Sequence, residues 1–172
     1  MNETKTVPRR LVVGISGASG TIYGIRLLQV LQAMPDVQTH LLLSEPARVI
    51  MQQETDWQPA QVEALADVVY APAEMGAAIA SGSFRTLGMV IIPCSIKTLS
   101  AVAHSYAANL MARAADVTLK EGRPLLLVVR ETPLHLGHLR LMQQVAEIGG
   151  IIFPPLPAFY GRPQTVDDIV DG

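Results

Sequence analysis

The stretch Leu11-Val-Val-Gly-Ile-Ser-Gly-Ala-Ser-Gly-Thr21 passes from an apolar run into glycines and hydroxyls, then into helical apolar spacing. A short run without polar alternation reads as a strand buried on both faces, the pattern of a parallel sheet. The glycines that follow let the backbone approach a ligand closely. Amides and the hydroxyls of Ser16, Ser19 and Thr21 can surround phosphate oxygens where the helix begins. The spacing of Gly14, Gly17 and Gly20 is G-x-x-G-x-x-G. It matches neither the dinucleotide fingerprint G-x-G-x-x-G nor the Lys-Ser/Thr ending of a P-loop. A hydroxyl-rich loop of this kind suits FMN better than NAD, and the alternative is a plain tight turn between strand and helix.

The same rhythm continues outward from this segment. Leu11–Ile15, Val37–Leu43, Met89–Ile92, Leu125–Val129 and Gly150–Phe153 read as buried strands. Thr21–Met34, Glu45–Thr55, Thr98–Leu119 and Leu134–Ile148 carry helical spacing, with a further short helix expected over Met75–Ala80. Alternation of this kind implies right-handed βαβ units. The expected fold class is α/β: a three-layer αβα arrangement around a doubly wound, mostly parallel, flavodoxin-like or Rossmann-like sheet. Ligands in such folds sit beyond the carboxyl ends of the strands.

The chain has 172 residues, which predicts one domain over 1–172, with a flexible stretch over 1–8. Charged residues make up 16% of the chain against a usual ~25%, so much apolar surface is left to be covered by subunit contacts. The net charge of −2 and the lack of a basic run argue against nucleic acid as a partner. No apolar run reaches the roughly 18 residues of a membrane span. Arg9-Arg10 is followed by too short an apolar stretch for an export signal, so a cytoplasmic protein is expected.

The remaining strand ends supply the other candidates. Ser44 and Glu45 open a helix, as an N-cap with a dipole-favouring acid or as a ribose-binding carboxylate. Glu54, in Glu54-Thr-Asp56, stands at a helix end where an acid is poorly placed for the dipole. Ser95 and Thr98 open a second potential anion or ring loop in Ile92-Pro-Cys-Ser-Ile-Lys-Thr98. The lone Cys94 beside it reads as inert packing. Arg130 and Glu131 at the next strand end can clamp an anion and donate a proton to it, or form a surface ion pair. His135 and His138 lack the companions of a metal site. Pro154-Pro-Leu-Pro-Ala-Phe-Tyr160 can hold Phe159 or Tyr160 at the sheet edge.

Taken in order, several segments resemble the UbiX family of flavin prenyltransferases. They are Gly14–Gly24, Glu54-Thr-Asp56, Pro93-Cys-Ser95, Arg113–Glu121, Arg123-Pro124, Arg130-Glu-Thr-Pro133 and Pro157–Gln164. The resemblance implies a dodecamer that transfers a dimethylallyl group from dimethylallyl phosphate to reduced FMN. The product, prenylated FMN, would serve a separate UbiD-type decarboxylase. It further implies FMN contacts at Gly17, Ala18, Ser19, Ser44, Ser95, Ile96, Lys97, Thr98 and Arg130. Lys120, Arg130, Glu131 and Tyr160 fall on the prenyl-phosphate side, with Ser19, Glu54 and Glu131 as proton-handling groups. Lys120 and Arg130 can neutralise the departing phosphate without a metal.

Two other functions share the expected fold. A flavin-dependent cysteine decarboxylase would carry Pro-Ala-Ser-Ala-Asn-Thr where Pro93-Cys-Ser-Ile-Lys-Thr98 stands. An FMN-binding accessory subunit of an aromatic acid decarboxylase would bind flavin without transferring a prenyl group. The family continues beyond Val166-Asp-Asp-Ile-Val170 with a further helix, so the chain is expected to be short of that element.

Overall fold

Six strands lie side by side in the order β3-β2-β1-β4-β5-β6, and every pairing is parallel. They are β1 (Arg9–Ile15), β2 (Val37–Leu43), β3 (Val68–Tyr70), β4 (Gly88–Cys94), β5 (Leu125–Val129) and β6 (Ile151–Ile152). The helices are α1 (Thr21–Gln32), α2 (Glu45–Glu54), α3 (Pro59–Glu63), α4 (Ile96–Ala103), α5 (Leu110–Lys120), α6 (Leu136–Glu147) and α7 (Val166–Asp171). The computed structural model describes residues 9–172, so the flexible stretch expected over 1–8 lies outside the described residues.

Alternate side chains of the central strands enter two separate cores. Val13, Ile15, Leu41 and Leu43 pack with Ile25 and Leu28 of α1 and with Met51 of α2. Val12, Leu42, Met89 and Ile91 pack on the other face with Leu99 of α4, Leu110 and Ala115 of α5, and Val145 of α6. These are the three expected layers. Strand order reverses between β1 and β4, so a crevice opens above the ends of those two strands.

Two expectations about elements are corrected, and two short elements are added. The single helix over Thr98–Leu119 is two helices, because Ser105 takes a left-handed conformation (φ 49) and Asn109 starts α5 afresh. The Asn109 side chain accepts from the Ala112 amide, an N-cap that competes with continuing the first helix. The helix over Met75–Ala80 shrinks to a 3-10 turn at Ala78–Ala80. The expected doubly wound parallel sheet is present, with every strand pairing parallel. Strand β3 and helix α3, only three and five residues long, were too short to carry a periodic signal.

Helix α7 is held by more than its own propensity. Thr165 and Asp168 cap its start reciprocally, and Asp171 forms an ion pair with Arg26 of α1 at 2.5 Å. Among the described residues no helix is long and apolar enough to cross a membrane. Leu136 and Leu139 of α6, Ile151 of β6 and Phe153 beyond it leave apolar surface exposed, as the low charge content foreshadowed.

Candidate functional site

The β1–α1 loop is tied to its surroundings by backbone and by one buried hydroxyl. Ser16 donates from Oγ to the Pro93 carbonyl at 2.9 Å and accepts from the Ser95 amide at 2.8 Å. Its own amide also donates to Pro93, at 3.1 Å. Ser16 is therefore a strut between two loops and not a hydroxyl that faces a ligand. The Thr21 hydroxyl is buried and has no hydrogen-bond partner among the described residues.

Two glycines in this loop are required by geometry. Gly20 caps α1 at φ 93, a left-handed conformation that costs glycine nothing. A Cβ on Gly17 would overlap the Pro46 ring, so only glycine lets the β1–α1 and β2–α2 loops approach each other. Between them Ala18 donates its amide to the Ser16 carbonyl, and Ser19 is half-buried.

Glu54 was expected to be poorly placed at the end of α2, and the tertiary fold supplies its partner. Its Oε2 accepts from the Gly20 amide at 2.8 Å, beside the first turn of α1. The carboxylate thus meets the positive end of a different helix. Ser44 caps α2 by accepting from Ala47 at 3.2 Å, with Glu45 in the first turn. Ser95 caps α4 by accepting from the Thr98 amide, and its hydroxyl donates to Thr98 Oγ1 at 3.1 Å.

These loops open on one cavity of about 740 Å³. Gly17, Ser44, Ser95, Ile96, Lys97 and Thr98 line it, and so does Glu131. Two helix N-termini, those of α2 and α4, border this end of the space, an arrangement that favours an anion, and the Asn109 cap of α5 lines the other end. The absence of a Cβ at Gly17 and the Ser44, Ser95 and Thr98 side chains along the wall fit a phosphate-bearing ligand at the end bordered by α2 and α4.

Arg130 follows β5, and its amide donates to the Cys94 carbonyl at 3.1 Å. Its side chain is exposed and forms no ion pair among the described residues, so the alternative of an Arg130–Glu131 surface pair is not realised. Glu131 instead accepts from the Thr132 amide at 3.0 Å. Cys94 is fully buried, and burial pushes its thiol up to about 12, so no thiolate nucleophile exists at neutral pH. The His135 ring accepts from the Gly137 amide to cap α6, and the His138 ring lies 3.6 Å away.

Lys120 and Tyr160 are not brought to this cavity by their own chain. Helix α5 starts beside it at Asn109 and runs eleven residues, roughly 16 Å, to Lys120. Lys120 ends near Pro124, whose carbonyl accepts from Met89 at the start of β4, the opposite edge of the sheet. There it pairs with Glu121, whose carboxyl is lowered by that hydrogen bond. Tyr160 sits on a 3-10 turn (Phe159–Gly161) and is 94% exposed.

Residues that sequence reading missed also border the cavity: Pro46, Ser100, Ala101, His104, Tyr106 and Asn109. Half of these, His104, Tyr106 and Asn109, belong to the α4–α5 junction, which was hidden while the two helices read as one. The signal was present in His104-Ser-Tyr-Ala-Ala-Asn109, where a helix-capping asparagine follows a polar break.

Comparison with known proteins agrees with this geometry. The family model described as Flavoprotein matches residues 1–172. Flavin prenyltransferase UbiX of Escherichia coli K12 is 63% identical over 163 residues, 95% of this chain and 86% of that protein. Flavin prenyltransferase UbiX of Thauera aromatica is 58% identical over 94% of this chain and 83% of its own length. Among solved structures, a dodecameric FMN-dependent UbiX-like decarboxylase of Escherichia coli O157:H7 superposes with a TM-score of 0.92 and 51% identity, covering 94% of this chain and 88% of that one. AnUbiX (PadA1), solved with FMN and dimethylallyl pyrophosphate, gives 0.94 and 46%, covering 96% and 87%. The cysteine decarboxylase SpaF, at 0.67 and 19%, shares the fold alone.

Proposed function

The chain belongs to the UbiX family of flavin prenyltransferases, and from that premise we propose how its own residues divide the work. It is a prenyltransferase that uses FMN. The observation that carries the assignment is that the three loops expected to hold flavin, around Gly17, Ser44 and Ser95, meet on one cavity. Gly17, Ala18 and Ser19, with Ser44 and Ser95–Thr98, hold FMN, and Arg130 reaches it from the end of β5.

Reduced FMN supplies the nucleophilic ring nitrogen, to which the dimethylallyl carbon bonds as its bond to the phosphate oxygen breaks and inorganic phosphate leaves. The chain's task is to position the two reactants and manage charge on the leaving group. Arg130 and Lys120 neutralise that charge. Glu131, at the cavity wall, donates a proton to the phosphate. Glu54 orders the Gly20 amide through Oε2 and accepts the ring proton, with Ser19 beside it in the loop. Tyr160 covers the prenyl side.

Lys120 stands at the far edge of its own sheet, so it serves the site of a neighbouring copy. The dodecameric relative and the exposed apolar surfaces support such an assembly. Tyr160, almost fully exposed, is available to a neighbour in the same way. The prenylated FMN is passed to a UbiD-type decarboxylase, and the protein works in the cytoplasm. Anaerobic incubation with reduced FMN and dimethylallyl phosphate tests the function by flavin mass. A gain of one five-carbon unit is expected. Tight FMN binding with no gain would favour the accessory-subunit reading instead.

A further inference from the structure

The cavity has two unlike ends, joined by α4. At one end lie the helix N-termini with Ser44, Ser95 and Thr98, polar groups suited to a phosphate. The eight residues of α4 carry the wall roughly 12 Å to the α4–α5 junction. That end is built of Ala101, Tyr106, Ala108 and Ala112, an apolar lining suited to a flat ring system. The His104 imidazole lines that end as well. Its Nδ1 lies 2.7 Å from the Ser100 carbonyl, which can only accept, so Nδ1 carries the proton. In the neutral imidazole, Nε2 is then a hydrogen-bond acceptor.

The chain closes on this side chain in a defined way. His104 is the C-cap of α4, the Ser105 amide donates to Val102, and the Tyr106 amide donates to Ala101 at 2.8 Å. This is a Schellman ending, with Ser105 in the left-handed position usually filled by glycine. At the start of α5, Asn109 has its carbonyl oxygen committed to the Ala112 amide.

Resting on the flavin-binding reading above, we propose that His104 is a flavin-binding residue whose Nε2 accepts the imide N–H of the ring. The phosphate end then fixes the ligand's tail, and His104 fixes which way the ring's polar edge faces. The experiment compares FMN with 3-methyl-FMN, which lacks that N–H, by fluorescence quenching. Binding is measured on the parent chain and on His104→Ala and His104→Phe. The parent is expected to bind FMN about tenfold more tightly than the methylated flavin, and both variants to lose that preference. Equal preference in parent and either folded variant overturns the assignment. Far-UV circular dichroism identifies the folded variants, and phenylalanine preserves the ring's bulk if alanine loosens the end of α4. A parent that binds neither flavin overturns this inference and the functional reading together. A parent that prenylates FMN while the variants keep the preference overturns this inference alone.

Discussion

Ser16 is a small side chain with a large structural share. Three hydrogen bonds, two through its hydroxyl, join the β1–α1 loop to the β4–α4 loop at almost no exposure. Ser16→Ala leaves the part-buried Ser95 amide without its partner and the Pro93 carbonyl with the residue-16 amide alone. A loss of about 1–3 kcal/mol is expected in urea unfolding, with weaker FMN binding because two flavin loops lose their common anchor. An unchanged urea midpoint would sink this account. Glu131 is exposed at the cavity wall, where the role proposed for it is chemical rather than structural. Glu131→Gln is expected to slow single-turnover prenylation roughly 100-fold, a general-acid effect, while the protein's unfolding curve stays put. Single-turnover rates equal to the parent's would remove Glu131 as proton donor.

At the scale of elements, β2 carries a buried ionisable group and the α4–α5 junction carries strain. His40 is 3% exposed, with its ring nitrogens near the Tyr70 hydroxyl and the Gln38 side chain. Burial, and then the nearby Arg10, lower its pKa, while Asp67 opposes them. The folded state therefore keeps His40 neutral where the unfolded chain, with a pKa near ~6.5, takes up a proton. Stability from this group is complete above that pH and is lost as pH falls below it toward the lowered folded value. His40→Gln is expected to flatten the chemical-denaturation profile below about pH 6.5. A parent-like slope in the variant would assign the dependence elsewhere. At the junction, Ser105 holds φ 49, and its side chain forms no hydrogen bond among the described residues. Ser105→Gly relieves a left-handed conformation and is expected to stabilise the fold by about 1 kcal/mol, read as a raised Tm. A lowered Tm would mean that the serine side chain contributes more than its backbone costs.

The whole molecule presents one half of its expected chemistry at each edge of the sheet. The cavity with Glu131, and Arg130 just before it, lies at the carboxyl edge, and Lys120 lies at the other. A site completed by a neighbouring copy makes a strong prediction for mixed assemblies. Lys120→Ala and Arg130→Ala are each expected to lose most activity alone. Co-refolded in equal amounts, they are expected to regain about a quarter of the parent's sites, since some sites receive both intact residues from different copies. Mixtures no more active than the separate variants would place both residues in the site of one chain.

Much of this was legible in the sequence. The apolar runs named five of the strands, because a strand covered on both faces shows itself locally as unbroken hydrophobicity. Gly17, Gly20, Ser44 and Ser95 announced loops and caps through their own conformational and hydrogen-bonding chemistry. Other features depend on contacts between distant residues, which no local pattern encodes. Only the tertiary structure gave Glu54 the amide of Gly20, thirty-four positions away, and turned Ser16 from a ligand hydroxyl into a strut. The split between α4 and α5, and with it His104 at the cavity, was hidden by continuous helical periodicity across a polar turn. Chemistry carried by single residues could be read directly from the chain; which residues share a cavity was decided by how the sheet and its helices fold together.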